Sequence, residues 1–185
     1  MTPREEELYR RALDYATQKH SGQLRIGGAP YITHPVAVAR LVREHGYGLD
    51  YQIAALFHDL LEDTDATAAE LAALSSDEVA QAVVLLTKQK GYDMQKYVGD
   101  ICKNPMAKAV KAADRLHNLQ CALVANQEFK RRYILETLDW YMDFLPEIPA
   151  AVKALAQSLE QPMTELSLLY EPIEKWNAEG AGPAV

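Results

Sequence analysis

Cysteine is scarce in this chain: there are two in 185 residues, Cys102 and Cys121, and no CxxC spacing. That scarcity excludes a disulfide framework and a thiolate zinc site, and predicts two reduced thiols in the core. No apolar run reaches membrane-spanning length, so no membrane is expected as a partner. The opening residues, Met1-Thr2-Pro3-Arg4-Glu5-Glu6-Glu7, are charged at once and lack the apolar centre of a secretory signal. A cytoplasmic protein is expected. Positive charge is also short: 19 Lys and Arg face 26 Asp and Glu, a formal net charge of -7. Wrapping nucleic acid relies on many Lys and Arg contacts to phosphate, so no nucleic acid is expected as a partner. A small anionic ligand still suits an acidic chain when a metal and a few local cations supply the positive field.

Period-two alternation, the mark of a half-buried strand, is missing as well. What is present is helical spacing. Leu8, Ala12, Leu13, Tyr15 and Ala16 predict a first helix over about Pro3 to Lys19. Three glycines and a proline make residues 21–31 a loop. Pro35, in the first turn where its missing N–H costs nothing, opens a helix over about Thr33 to His45. A third helix is expected over about Tyr51 to Glu62. Thr67–Glu70 and Ser75–Glu78 each read as an S/T-x-x-E capping box, and Asn104-Pro105 as a cap before a helix running to about Val124. A long helix through Glu136–Leu145 should stop near Pro146, with two shorter ones separated by Pro162 after it. The expectation is an all-α chain: one domain over residues 1–176, then a disordered tail over 177–185.

One segment contradicts its own helix. Leu56, Phe57, Leu60 and Leu61 suit a buried helix, whereas His58, Asp59, Glu62 and Asp63 between them do not. At about 100° per residue, His58 and Glu62 share a face, with Asp59 and Asp63 beside them. Such groups are costly to bury unless solvated, paired or bound to a cation. Adjacent carboxylates at a helix C-terminus also oppose its dipole, and no Lys or Arg is close in sequence. On this segment alone a metal site and a solvated acidic face stand level. His34, at a helix start after the glycine-rich loop, and Asp114, within a small-residue helix, are each weak singly. With His58 and Asp59 they form a mixed N/O set suited to manganese, iron or zinc.

The ordered series His34, His58-Asp59, Asp114 resembles the HD superfamily of metal-dependent phosphohydrolases, and more closely the hydrolase domain of RelA/SpoT homologues, including single-domain small alarmone hydrolases. The residues that carry it are His20–Arg25, Gly28–Ala39, Ala55–Thr64, Leu86–Lys88 and Lys111–Leu119. The resemblance implies a single helical HD-domain bundle with one Mn²⁺ on His34, His58, Asp59 and Asp114. Glu62 and Asp63 match the acidic pair that positions or deprotonates the attacking water. Arg25 matches an arginine that stacks on the purine base, and Asn118 a contact to the sugar or its phosphate. Lys111 is a further candidate substrate contact.

The implied reaction is hydrolysis of the 3′-pyrophosphate of (p)ppGpp to GDP or GTP and pyrophosphate. The implied partner is therefore a small nucleotide; no oligomeric state follows from the sequence. Too little chain remains for a synthetase region, so degradation is expected and synthesis is not. One departure stands out: relatives carry lysine after the arginine, whereas Ile26-Gly27-Gly28 follows Arg25 here. That opens (p)ppApp, or a 2′- or 3′-phosphorylated dinucleotide such as NADPH, as an alternative substrate. A non-catalytic nucleotide-binding partner protein is a second alternative, which retention of both Glu62 and Asp63 argues against.

Overall fold

The computed structural model describes residues 1–25 and 27–159. The expected tail over 177–185 and the short helix after Pro162 lie outside the described residues. The described chain is helical, with an isolated antiparallel bridge between Leu24 and Pro30. It divides into two compact units, Met1–Asp114 and a second beginning at Arg115.

In the first unit, α1 (Pro3–Lys19) starts at a Thr2 capping box closed by Glu5. Helices α2 (Thr33–Glu44), α3 (Leu49–Phe57) and α6 (Asp77–Leu86) follow the apolar pattern, and α3 packs against α1, α2 and α6. Every residue from Gln52 to Phe57 is buried, with Ile53, Leu56 and Phe57 at 0% exposure. At roughly 1.5–3 kcal/mol for each large apolar side chain, α3 is the anchor of this unit. It therefore delivers His58 and Asp59, the next two residues of the chain, into the interior.

The expected helix over Tyr51 to Glu62 is interrupted there. Helix α3 ends at Phe57, and α4 (Leu60–Asp63) starts afresh after Asp59, whose φ of -101° and ψ of -5° leave the helical track. The His58 Nδ1 lies 2.8 Å from the Ala55 carbonyl and pairs with it within this turn. Helix α5 (Ala68–Leu74) has the expected Thr67–Glu70 capping box. The next cap is shifted by one residue: Ser76 accepts from the Val79 N–H, while Ser75 turns its hydroxyl back to the Leu71 carbonyl to close α5. Helix α7 (Met94–Lys103), which apolar spacing did not signal, is capped by Asp93.

Helix α8 (Pro105–Cys121) starts where Asn104 accepts from the Ala107 N–H at 2.9 Å and tightens into a 3-10 turn, Ala122–Val124. In the second unit α9 (Gln127–Trp140) stops short of Pro146, because Tyr141 leaves the helix and packs edge-on to Phe144. Helix α10 (Ile148–Gln157) packs against α9. Both cysteines are free and exposed, contrary to the expected core thiols. No helix of the described residues is long and apolar enough to cross a membrane.

Candidate metal centre

Three elements of the first unit send donors to one point: the start of α2, the α3–α4 turn and the middle of α8. His34 sits in the first turn of α2, fixed there by a backbone bond from its N–H to the Tyr31 carbonyl at 2.9 Å. Its Nε2 lies 3.2 Å from the His58 Nε2 and 3.1 Å from the Asp114 Oδ1. The His58 Nε2 lies 3.0 Å from the Asp59 Oδ2 and 3.6 Å from the Asp114 Oδ1. Donor atoms of His34, His58 and Asp59 all fall within 4.8 Å of one another. His34, His58 and Asp114 are buried, and Asp59 is half-buried.

The donor set fits a divalent cation. With Nδ1–H donating to the Ala55 carbonyl, the His58 Nε2 presents a lone pair to a second imidazole nitrogen and two carboxylates. Such lone pairs repel unless a proton or a cation stands between them. Two neutral imidazoles and two carboxylates carry two negative charges, which a divalent ion balances. The electrostatics agree. Burial opposes charging His58, yet the Asp59 and Asp114 carboxylates push it up to about 10. Burial moves His34 the other way, below its ordinary value. Asp59 and Asp114 are held below the usual carboxylate range against the burial that opposes it, the first by His58 and the second chiefly by Lys111.

The two neighbouring acids part company. Asp63 faces Tyr31, whose hydroxyl lies 2.7 Å from the Asp59 Oδ2 and 3.2 Å from the Asp63 Oδ2. Burial and the Asp59 charge push Asp63 up. Glu62 instead accepts from the Lys88 backbone N–H at 2.9 Å. The expectation that Glu62 lies on one face with His58 assumed a continuous helix, and the break at Asp59 replaces that geometry. Lys111 sets its Nζ 2.9 Å from the Asp114 Oδ2. Arg25 places its guanidinium 5.7 Å from the centre of the Tyr31 ring. Asn118 is half-buried one turn beyond Asp114 on α8, in the second unit. Ile26 lies outside the described residues.

Tyr31 is the residue that sequence reasoning missed. Its sequence signal was its place within the stretch Pro30-Tyr31-Ile32-Thr33-His34, three residues before a candidate ligand. An open cleft of about 370 Å³, lined by Gln23, Leu24, Tyr31 and Asp63, adjoins it.

Residues 12–144 match the family model described as "HD domain". The chain belongs to the HD-domain family. Similar proteins include a guanosine-3′,5′-bis(diphosphate) 3′-pyrophosphohydrolase of Aquifex aeolicus, 33% identical over 147 residues, 75% of this chain and 21% of that protein. The GTP pyrophosphokinase rsh of Brucella ovis is 32% identical over 184 residues, 94% of this chain and 24% of that protein. The chain thus spans less than a quarter of the length of these relatives. Among solved structures, one from work entitled "A metazoan ortholog of SpoT hydrolyzes ppGpp and plays a role in starvation responses" aligns with a TM-score of 0.55. It is 24% identical and covers 92% of this chain and 95% of that one, a likeness of the all-helical fold.

Proposed function

We propose that this HD-family chain is a metal-dependent phosphohydrolase that removes the 3′-pyrophosphate of (p)ppGpp, with Mn²⁺ as its ion. Water adds across the 3′-phosphoester, giving GDP or GTP and pyrophosphate. The observation that carries the reading is the convergence of His34, His58, Asp59 and Asp114 beside an acid, Asp63, that shares a phenol with Asp59. The Aquifex relative's name supplies the substrate class. Residues 1–176 act in this reading as one catalytic domain of a cytoplasmic enzyme.

His34, His58, Asp59 and Asp114 would hold the ion, which when bound lowers the pKa of water and polarises a phosphoryl oxygen. The chain's own residues do the rest. His58 is held in the ligating tautomer by Ala55, and Lys111 fixes the Asp114 carboxylate. Asp63, made more basic by burial and the neighbouring Asp59 charge, would take the proton of the attacking water. Glu62, anchored on the Lys88 amide, supports that acid and the loop bearing Lys88. Arg25 would contact the base. Lys111, whose ammonium is engaged by Asp114, would reach the substrate only through that carboxylate.

Purified protein with Mn²⁺ and ppGpp should release pyrophosphate, and Asp59→Ala should release none. Metal-loaded protein that leaves ppGpp intact would overturn the reading. The Ile26-Gly27-Gly28 departure favours testing (p)ppApp and NADPH beside it. A kcat/KM for either above that for ppGpp would move the assignment within the same chemistry.

A further inference from the structure

We propose that Tyr31 is a positioning residue: its hydroxyl couples the Asp59 carboxylate of the metal cluster to Asp63 and so sets the acid that handles water. The inference rests on the phosphohydrolase reading for the task of Asp63, but its geometry stands apart from any substrate. The phenol oxygen is 2.7 Å from Asp59 and 3.2 Å from Asp63. One hydroxyl hydrogen serves two carboxylates, so the position of one acid constrains the other.

The glycine-rich segment is built to hold that hydroxyl still. It is a closed hairpin and not an open loop. The Arg25 N–H donates to the Ala29 carbonyl at 2.8 Å, and the Tyr31 N–H to the Gln23 carbonyl at 2.9 Å. Its tip turns through Gly27 and Gly28 at φ of +98° and +85°, values that a side-chain-bearing residue rarely adopts. Buried His20 packs its ring 4.7 Å from the Tyr31 ring.

The same hairpin reaches the acid a second way. The His20 Nδ1 is 2.8 Å from the Gln23 Oε1, which turns the Gln23 amide nitrogen towards the Asp63 carbonyl at 2.9 Å. Just before the hairpin, the Lys19 Nζ is 2.8 Å from the Asp65 Oδ1. Asp63 is thus held at side chain and backbone by one segment, while its neighbour Glu62 is held by another. An exposed acid otherwise free to rotate is given one orientation relative to the metal ligands.

The test is Tyr31→Phe, which keeps the ring against His20 and removes only the hydroxyl. Mn²⁺ binding to metal-free protein is followed by the electron paramagnetic resonance of the free ion, beside kcat, KM and the melting temperature. The Kd for Mn²⁺ should rise about tenfold, as for other losses of a ligand's outer partner. The kcat should fall about tenfold or more, with KM within about twofold. Because Tyr31 acts through Asp63, Tyr31→Phe should cost little further kcat when placed on Asp63→Asn. Unchanged Kd and kcat, or losses that simply multiply in the double variant, would overturn the proposal.

If the wild type binds Mn²⁺ but cleaves no alarmone, the substrate reading falls. The Kd comparison then decides Tyr31 alone, a rise supporting it and no change overturning it. Should Tyr31→Phe lose its cooperative melting, Gln23→Leu, which cuts the second tether, carries the test. A fall in kcat at unchanged Mn²⁺ affinity supports the positioning role, and an unchanged kcat overturns it.

Discussion

The Lys88 backbone N–H donates to the Glu62 Oε2 at 2.9 Å, across 26 residues of sequence. Glu62 is thereby committed to the start of the α6–α7 connection, while Asp63 stays with Tyr31 and Asp59. The two acids should therefore differ in mutational cost. Asp63→Asn should lower kcat by about 100-fold or more, the scale of general acid–base catalysis. Glu62→Gln keeps an oxygen to accept from Lys88 and should lose less than about tenfold. Steady-state kinetics on the two variants decides it, and equal losses would contradict the division.

Removal of the metal should abolish turnover, and added Mn²⁺ should restore it. A ligand that binds the folded state alone adds about 2.7 kcal/mol at 100 times its Kd, so Mn²⁺ at that concentration should raise the melting temperature by several degrees. Asp114→Asn takes a charged oxygen from the pair 3.1 Å apart with His34 and should erase that shift. Differential scanning calorimetry with and without Mn²⁺ measures both.

Metal uptake should release protons. In the metal-free protein the neighbouring carboxylates push His58 up to about 10, against the burial that opposes charging. A raised histidine stabilises the metal-free fold fully below its ordinary value near 6.5, and that contribution is lost as pH climbs through about 10. An ion must displace this proton, so the apparent affinity for Mn²⁺ should rise with pH across that window. Titration in weak buffer with an indicator dye should show acidification on binding, and uptake without it would contradict the assignment.

In the second unit, Arg115 is buried with its guanidinium 4.1 Å from the ring centres of both Tyr133 and Tyr141 and paired with Glu136. Arg115→Ala removes two cation–π contacts and leaves Glu136 without this partner. Breaking a buried ion pair costs about 3–5 kcal/mol, and the half-buried Glu136 places the loss near the lower end. Arg115→Lys should recover only part, because an ammonium lacks the flat surface that lies on both rings. Urea denaturation of the three proteins measures the series.

Much of this architecture was legible because its signals are short-range. Thr67 and Asn104 cap helices through bonds that span three residues, and a three-residue pattern is readable from a string. Where two serines stood side by side the string misled by one position, since either Ser75 or Ser76 could cap and only the end of α5 distinguished them. The His and Asp residues that led the sequence to a mixed N/O donor set lie within hydrogen-bond distance of one another in the structure.

By itself, then, the sequence determined the helical class, most helix starts and the residue types that gather at one centre. These follow from local hydrogen bonding, apolar spacing and the chemistry of each side chain. Only the tertiary structure decided that the helix breaks at Asp59, that Glu62 leaves for Lys88, and that Tyr31 joins Asp59 to Asp63 across 28 residues. Contacts of that separation depend on how buried α3 docks among its neighbours and how the hairpin closes. Neither is encoded in the spacing of the residues that finally meet.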